Sequence, residues 1–70
     1  MVMEENLSFK ELLLIYMDRK NIKQSKIAEI LGLKKQTVYM KFKSDNFTEK
    51  DMKNYAEAIG MKLVIKLEEK

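Results

Sequence analysis

The sequence predicts a mostly α-helical fold of four to five short helices followed by one C-terminal β-strand. Apolar residues recur at helical spacing through most of the chain, and residues that begin or end helices separate the segments. Apolar residues alternate along the chain only in the last ten residues. A chain of 70 residues predicts a single domain, residues 1–70, with a small core.

The composition argues against an enzyme. The chain contains no cysteine and no histidine, which removes disulfides, the usual zinc ligands and the commonest general base. Without a metal-ligand cluster or a phosphate-cradling glycine loop, we expect no catalytic residue, no metal and no cofactor. There is no run of about 18 apolar residues and the N-terminus is acidic, so we expect no membrane partner, no signal peptide and a cytoplasmic location.

The first helix is predicted to begin after Ser8, which forms an S-x-x-E capping box with Glu11. It should end near Lys20 and Asn21, because asparagine tolerates the left-handed conformation that ends helices. Its apolar residues are numerous enough for the helix to be mostly buried: Leu12, Leu13, Ile15, Tyr16 and Met17.

One glycine joins the second and third helices. Helix 2 is predicted from about Gln24 to Leu31, and Gly32 is expected to take the left-handed conformation at its end. Leu33 is then expected to fill a place in the core. The apolar stripe of helix 2 consists of Ile27, Ala28, Ile30 and Leu31.

Helix 3 is predicted from about Lys35 to Lys43. At 100° per residue, Val38 and Phe42 share one face, which we expect to be buried. The opposite face carries Gln36, Tyr39, Met40 and Lys43. Lys34 and Lys35 occupy the start of the helix, although helix N-termini favour oxygen-bearing caps and negative charge.

Helix 4 is predicted to begin with Thr48 and Asp51, a T-x-x-D variant of the capping box, and to end at Gly60. Phe47, which precedes the cap, is expected to pack on Met52 as a hydrophobic staple. The apolar stripe of this helix consists of Met52, Tyr55, Ala56 and Ile59.

The last segment, about residues 61–68, is predicted to be a half-buried strand. A single strand cannot satisfy its own backbone groups, and no other segment is typical of a strand. The simplest partner is the same strand of a second copy across a two-fold axis. Pairing within the subunit, a helical tail and a frayed terminus are the alternatives. The expected dimerisation residues are Leu63, Val64, Ile65 and Leu67.

Positive charge is concentrated in the middle of the chain. Between Arg19 and Lys43 there are eight cations and one anion, Glu29, so this stretch carries +7. The whole chain carries +3, so the flanks are acidic. A basic surface between acidic flanks favours a polyanionic partner, although a solvated lysine-rich face would have the same composition.

Two short helices joined by a glycine-containing turn have the geometry of a helix-turn-helix. The stretch QSKIAEILGLKKQTVYMKFK, residues 24–43, resembles the helix-turn-helix of phage repressors and Cro-type (xenobiotic-response-element-like) regulators, with Gln24, Ala28, Gly32 and Val38 in the family's spacing. The next stretch, KSDNFTEKDMKNYAEAIGM, resembles the helix that follows in these domains. The likeness covers roughly residues 8–61.

The resemblance implies a dimeric transcriptional regulator, a small repressor that reads a pseudo-palindromic operator in double-stranded DNA. It implies that Gln24 and Ser25 contact phosphate at the start of helix 2. The final strand is similar to the dimerising strand of some Cro proteins. The reading positions of the recognition helix correspond to Lys34, Lys35, Gln36, Tyr39, Met40 and Lys43.

The chain departs from the family's pattern at Lys23 and Lys34, where serine or threonine is usual, and at Lys41, where an apolar residue is common. We expect Phe42 to take the core role in place of residue 41, with a slightly rotated helix 3 and the Lys41 stem along the core edge. Similar strands also end some antitoxins, so the alternative function is an antitoxin-like module that binds a toxin-like protein partner.

Overall fold

Four α-helices follow one another in residues 7–64, the part of the chain that the computed structural model describes. They are α1 (Phe9–Lys20), α2 (Gln24–Leu31), α3 (Lys35–Ser44) and α4 (Glu49–Ala58). The mostly helical class is therefore confirmed, and the helix boundaries agree closely with the predicted ones.

Local capping interactions set the ends of α1 and the start of α4. The Ser8 hydroxyl accepts a hydrogen bond from the Glu11 backbone N–H at 3.2 Å, and Asn21 ends α1 with a φ of 55°. Thr48 and Asp51 form a complete capping box, in which each side chain accepts a hydrogen bond from the other residue's backbone N–H at 3.1 Å. Because these contacts join residues three apart, the sequence alone located both helix starts. The capping box predicted for Ser8 and Glu11 is only half formed, since the described residues show no hydrogen bond from the Ser8 N–H to the Glu11 side chain.

Gly32 forms the turn between α2 and α3. Its φ of 69° lies in the left-handed region, and the Leu33 N–H donates to the Ala28 carbonyl oxygen at 2.8 Å, which closes the end of α2. A Cβ at this position would meet no neighbouring atom, so glycine is favoured here by the left-handed backbone conformation and not by a lack of space. Gly60 follows α4 in the same conformation, with a φ of 73°.

The core lies where α2 packs against α3 and α4, with α1 packed against α4. Its largest fully buried side chains are Leu13, Ile27, Val38 and Ile59. One side of the core is aromatic, because the Phe47 ring makes edge contacts with Phe9, Phe42 and Tyr55 at centroid distances of 5.2 to 5.6 Å. These rings join α1, α3 and α4 through the loop that precedes α4.

The hydroxyl of Tyr55 is buried and has no hydrogen-bond partner in the described part of the chain. Burial raises the pKa of this hydroxyl above its ordinary value, since the phenolate would lose its hydration. An unsatisfied buried hydroxyl costs about 1–3 kcal/mol. The packing of the Tyr55 ring against Phe42 and Phe47 offsets this cost.

The prediction of a buried side chain is wrong at three residues. Leu33 is 41% exposed, and Ile15 and Ile30 are also exposed. The Leu33 backbone closes the turn after α2, and its side chain lies in a shallow surface groove beside that turn instead of in the core. Ile15 and Ile30 lie on the flanks of their helices, whereas Leu13 and Ile27 face the other helices and are fully buried.

The predicted C-terminal strand is not shown by the described residues. Residues 61–63 have no regular secondary structure, and Val64 forms only an isolated β-bridge. Half-buried Met61 and Leu63 pack against the core of their own chain, so Leu63 contributes to the subunit itself. The left-handed turn at Gly60 places the chain in position for this packing. Ile65 and Leu67, two further predicted dimerisation residues, lie outside the described residues.

Candidate nucleic-acid interface

The helices α2 and α3 begin without the side-chain caps that α1 and α4 have. Lys23 precedes α2 and Lys34 precedes α3, and neither first turn contains an acidic residue. A lysine side chain has no hydrogen-bond acceptor, so it leaves the first N–H groups of each helix without a cap and adds positive charge there. Two such helix starts, one after the other in the chain, are suited to external anions.

The helix α3 has one buried and one exposed face, as predicted. Val38 is fully buried and Phe42 is 3% exposed, so Phe42 does take the core role next to Lys41. On the opposite face, Tyr39 is 58% exposed and Met40 is 50% exposed. Gln36 and Lys43 on the same face are also exposed, and so is Lys35 in the first turn of the helix. The exposed face of α3 therefore combines hydrogen-bonding, cationic and apolar contact groups.

A groove of about 240 Å³ lies beside α3, where α1 and the start of α2 approach it. It brings together three predicted contact residues, Gln24, Tyr39 and Lys43. Lys10 and Leu14 of α1 line the same groove, and neither was predicted to be a contact residue. They lie four residues apart on one flank of α1, but only the tertiary fold, which brings that flank to the groove beside α3, shows what it faces.

The other predicted contact residues line two further shallow grooves. Ser25 and Lys35 line one groove at the turn, together with Leu33. Lys34, Gln36 and Met40 line the other, on the side of α3 that carries Lys41. The predicted residues thus surround the exposed face of α3, although no single pocket contains all of them.

Ion pairs neutralise only part of the basic stretch. Within residues 7–64, Lys26 pairs with Glu29 at 3.7 Å and Lys41 pairs with Asp51 at 2.9 Å. The first pair is mostly exposed, so it contributes little to stability. Lys34, Lys35 and Lys43 form no ion pair in this part of the chain, and they carry the charge of the exposed face of α3.

No protein-family model matches this chain, and no curated protein and no solved structure matches it. Among residues 7–64 there is no helix with both the length and the apolar character needed to cross a membrane. The same residues contain no group of three or more acidic side chains arranged to hold a metal ion.

Replacing Lys34 with serine should stabilise the free protein by about 0.5–1 kcal/mol and, if the exposed face of α3 binds DNA, should weaken that binding. Serine supplies the acceptor that the start of α3 lacks and removes a charge from the exposed face. Thermal unfolding and DNA titration of the same samples would measure both effects. Lys53→Ser, on the exposed side of α4, is the matched control and should leave DNA affinity nearly unchanged. A Lys34→Ser variant that binds DNA as tightly as the parent at moderate salt would contradict this role.

Proposed function

We propose that the protein is a sequence-specific DNA-binding transcriptional regulator of the helix-turn-helix type, which acts as a small dimeric repressor. The surface of α3 is the observation that carries the proposal. Its buried face is apolar, its exposed face is polar and basic, and its start has a lysine instead of an acceptor. The major groove of B-DNA, about 12 Å wide, admits an α-helix with such a face.

The exposed side chains of α3 have the chemistry needed to read base edges. The Gln36 amide can pair with N6 and N7 of adenine, and Lys35 or Lys43 can donate to the guanine acceptors O6 and N7. Tyr39 and Met40 are exposed enough to contact a thymine methyl group or a sugar. These side chains therefore supply the sequence preference in the proposed complex.

Phosphate contacts would come from the starts of the two helices. Gln24 and Ser25 begin α2 and Lys34 precedes α3, and both starts offer backbone N–H groups without a side-chain cap. Lysines add affinity by releasing counterions from the phosphate backbone, largely without regard to sequence. Lys10 joins this set because it lines the same groove as Gln24.

A single domain of this size would read one half-site. A two-fold dimer places its recognition helices about 34 Å apart, one turn of DNA, and so reads a pseudo-palindrome. We propose that the C-terminal segment forms this dimer, with Val64, Ile65 and Leu67 as its contact residues. The half-buried Leu63 would support the segment from the core side.

A second candidate function, an antitoxin-like module that binds a toxin-like protein, is favoured by the exposed aliphatic side chains. Leu14, Ile15, Ile30 and Leu33 are each between 39% and 50% exposed. Side chains of this kind often form protein-binding surfaces when they are contiguous. Both functions can reside in one chain. Co-purification with one stoichiometric partner, or a toxic gene beside this one, would support the second.

Selection of bound sites from a random duplex library tests the leading proposal. We expect enrichment of a pseudo-palindrome whose half-sites are centred about 10 base pairs apart. The selected duplex should bind at least a thousandfold more tightly than random duplex of equal length. Absence of any enriched sequence, or equal affinity for both duplexes, would overturn the proposal.

A further inference from the structure

The side chains of Lys41 and Asp51 connect the recognition helix to the helix that follows it. The Lys41 ammonium donates to Asp51 Oδ2 at 2.9 Å, and the two side chains are only 27% and 25% exposed. The same ammonium also donates to the Asn46 carbonyl oxygen at 3.3 Å, in the loop between α3 and α4. Lys41 therefore bonds to both the loop and α4.

One carboxylate oxygen of Asp51 serves two purposes at once. Asp51 Oδ2 accepts a hydrogen bond from the Lys41 ammonium and another from the backbone N–H of Thr48, the residue that caps the start of α4. The bond from Lys41 is the main cause that holds the pKa of Asp51 below its ordinary value. The position of Lys41, in the last turn of α3, is thus tied to the cap of α4.

Aromatic rings form a second contact between α3 and α4. Phe42, next to Lys41 in the chain, lies 6.1 Å from Tyr55 of α4 and 5.6 Å from Phe47 of the loop. These ring contacts contribute packing, whereas the charge-assisted hydrogen bond from Lys41 to Asp51 is directional and adds resistance to a rotation of α3 about its own axis. Such a rotation would move every exposed side chain of α3.

We propose that Asp51 is a positioning residue for DNA recognition, which sets the rotation of α3 by holding Lys41 against the cap of α4. This inference rests on the proposed DNA-binding function and adds a residue that does not touch DNA. It also assigns Lys41 a role different from that of the other lysines of α3. Lys41 is withdrawn from the exposed face, so it contributes orientation instead of phosphate affinity.

The variant Asp51→Asn separates positioning from simple charge effects, because a charge effect leaves the ratio of affinities for selected and random duplex unchanged, whereas loss of positioning lowers that ratio. Removing a negative charge should tighten binding to any duplex if charge alone matters. If Asp51 positions α3, the affinity for the selected duplex should fall by roughly 3- to 30-fold relative to that for random duplex. Asparagine can still accept a hydrogen bond from the Thr48 N–H, so α4 keeps part of its cap.

Glu49→Gln is the matched control, since Glu49 lies in the same first turn of α4 and loses the same charge. This variant should bind both duplexes with an unchanged ratio of affinities. Lys41→Met, which keeps the Thr48–Asp51 cap intact, should lower the ratio as Asp51→Asn does, and the double variant should lower it no further. An unchanged ratio in Asp51→Asn, or additive losses in the double variant, would overturn the positioning role.

Amide hydrogen exchange gives a readout that does not depend on DNA. In Asp51→Asn, amides of residues 41–45 should exchange faster relative to those of α2, and in Glu49→Gln they should not. If the parent protein prefers no duplex, the proposed function is wrong, but this comparison still decides whether Asp51 fixes α3. Equal exchange at residues 41–45 in the two variants would contradict the inference.

Discussion

Phe42→Ala is expected to destabilise the fold by about 3–5 kcal/mol, a large part of the free energy of unfolding of a chain of this length. Phe42 is 3% exposed and is the α3 member of the aromatic cluster with Phe47 and Tyr55. A domain of 70 residues has few other apolar contacts with which to compensate. Thermal unfolding followed by circular dichroism should show the midpoint lowered by at least 12 °C.

Tyr39→Ala, on the opposite face of the same helix, is the matched control. Because Tyr39 is 58% exposed, its truncation should change the free energy of unfolding by less than about 1 kcal/mol. Its effect should appear in DNA binding instead. A Phe42→Ala variant as stable as Tyr39→Ala would show that α3 is not packed through Phe42.

Contacts between residues close in sequence were predictable. The cap at Ser8, the capping box at Thr48 and the left-handed residues Asn21 and Gly32 each depend on a few neighbouring residues. The helix boundaries follow from these contacts without knowledge of the tertiary fold. The burial of Val38 and Phe42 was also predictable, since helical periodicity separates the two faces of α3.

Contacts between residues on different helices were not predictable from one sequence. Helical periodicity gives an apolar stripe but not its width, so Ile15 and Ile30 were wrongly assigned to the core. The sequence showed that Lys41 departs from the family's pattern, but its partner Asp51 lies ten residues away on another helix. Lys10 was missed for the same reason, because only the tertiary fold brings it to the groove beside α3.

The pattern of the C-terminal segment predicts an extended conformation but does not identify its partner. Alternating apolar residues predicted a strand and a two-fold partner, but Met61 and Leu63 pack on the core of their own chain. An alternating pattern shows that one side of an extended segment is apolar, but it does not show whether a second copy or the core of the same chain covers that side. The dimer therefore remains a prediction. The salt dependence of DNA binding tests it, because a dimer would contact twice as many phosphates as a monomer.

Binding to the selected duplex should weaken about a thousandfold between 50 and 200 mM salt. If Lys10, Lys34 and Lys43 of each subunit neutralise phosphates while Lys35 reaches guanine, a dimer neutralises about six phosphates, and the logarithm of affinity falls with the logarithm of salt with a slope near −5. A monomer with the same contacts would give a slope near −3. Filter binding or fluorescence anisotropy at four salt concentrations measures this slope.

Lys43→Gln removes two of these contacts from a dimer, so its slope should be near −4 and the loss over the same salt range about a hundredfold. Lys53→Gln, on the exposed side of α4, removes the same charge away from α3 and should leave the slope at the parent value. The Lys41→Met variant should also leave the slope at the parent value, although it lowers the affinity for the selected duplex, because Lys41 pairs with Asp51 and does not neutralise a phosphate. A parent slope shallower than about −2, or equal slopes for Lys43→Gln and Lys53→Gln, would show that the exposed face of α3 is not the surface that meets DNA.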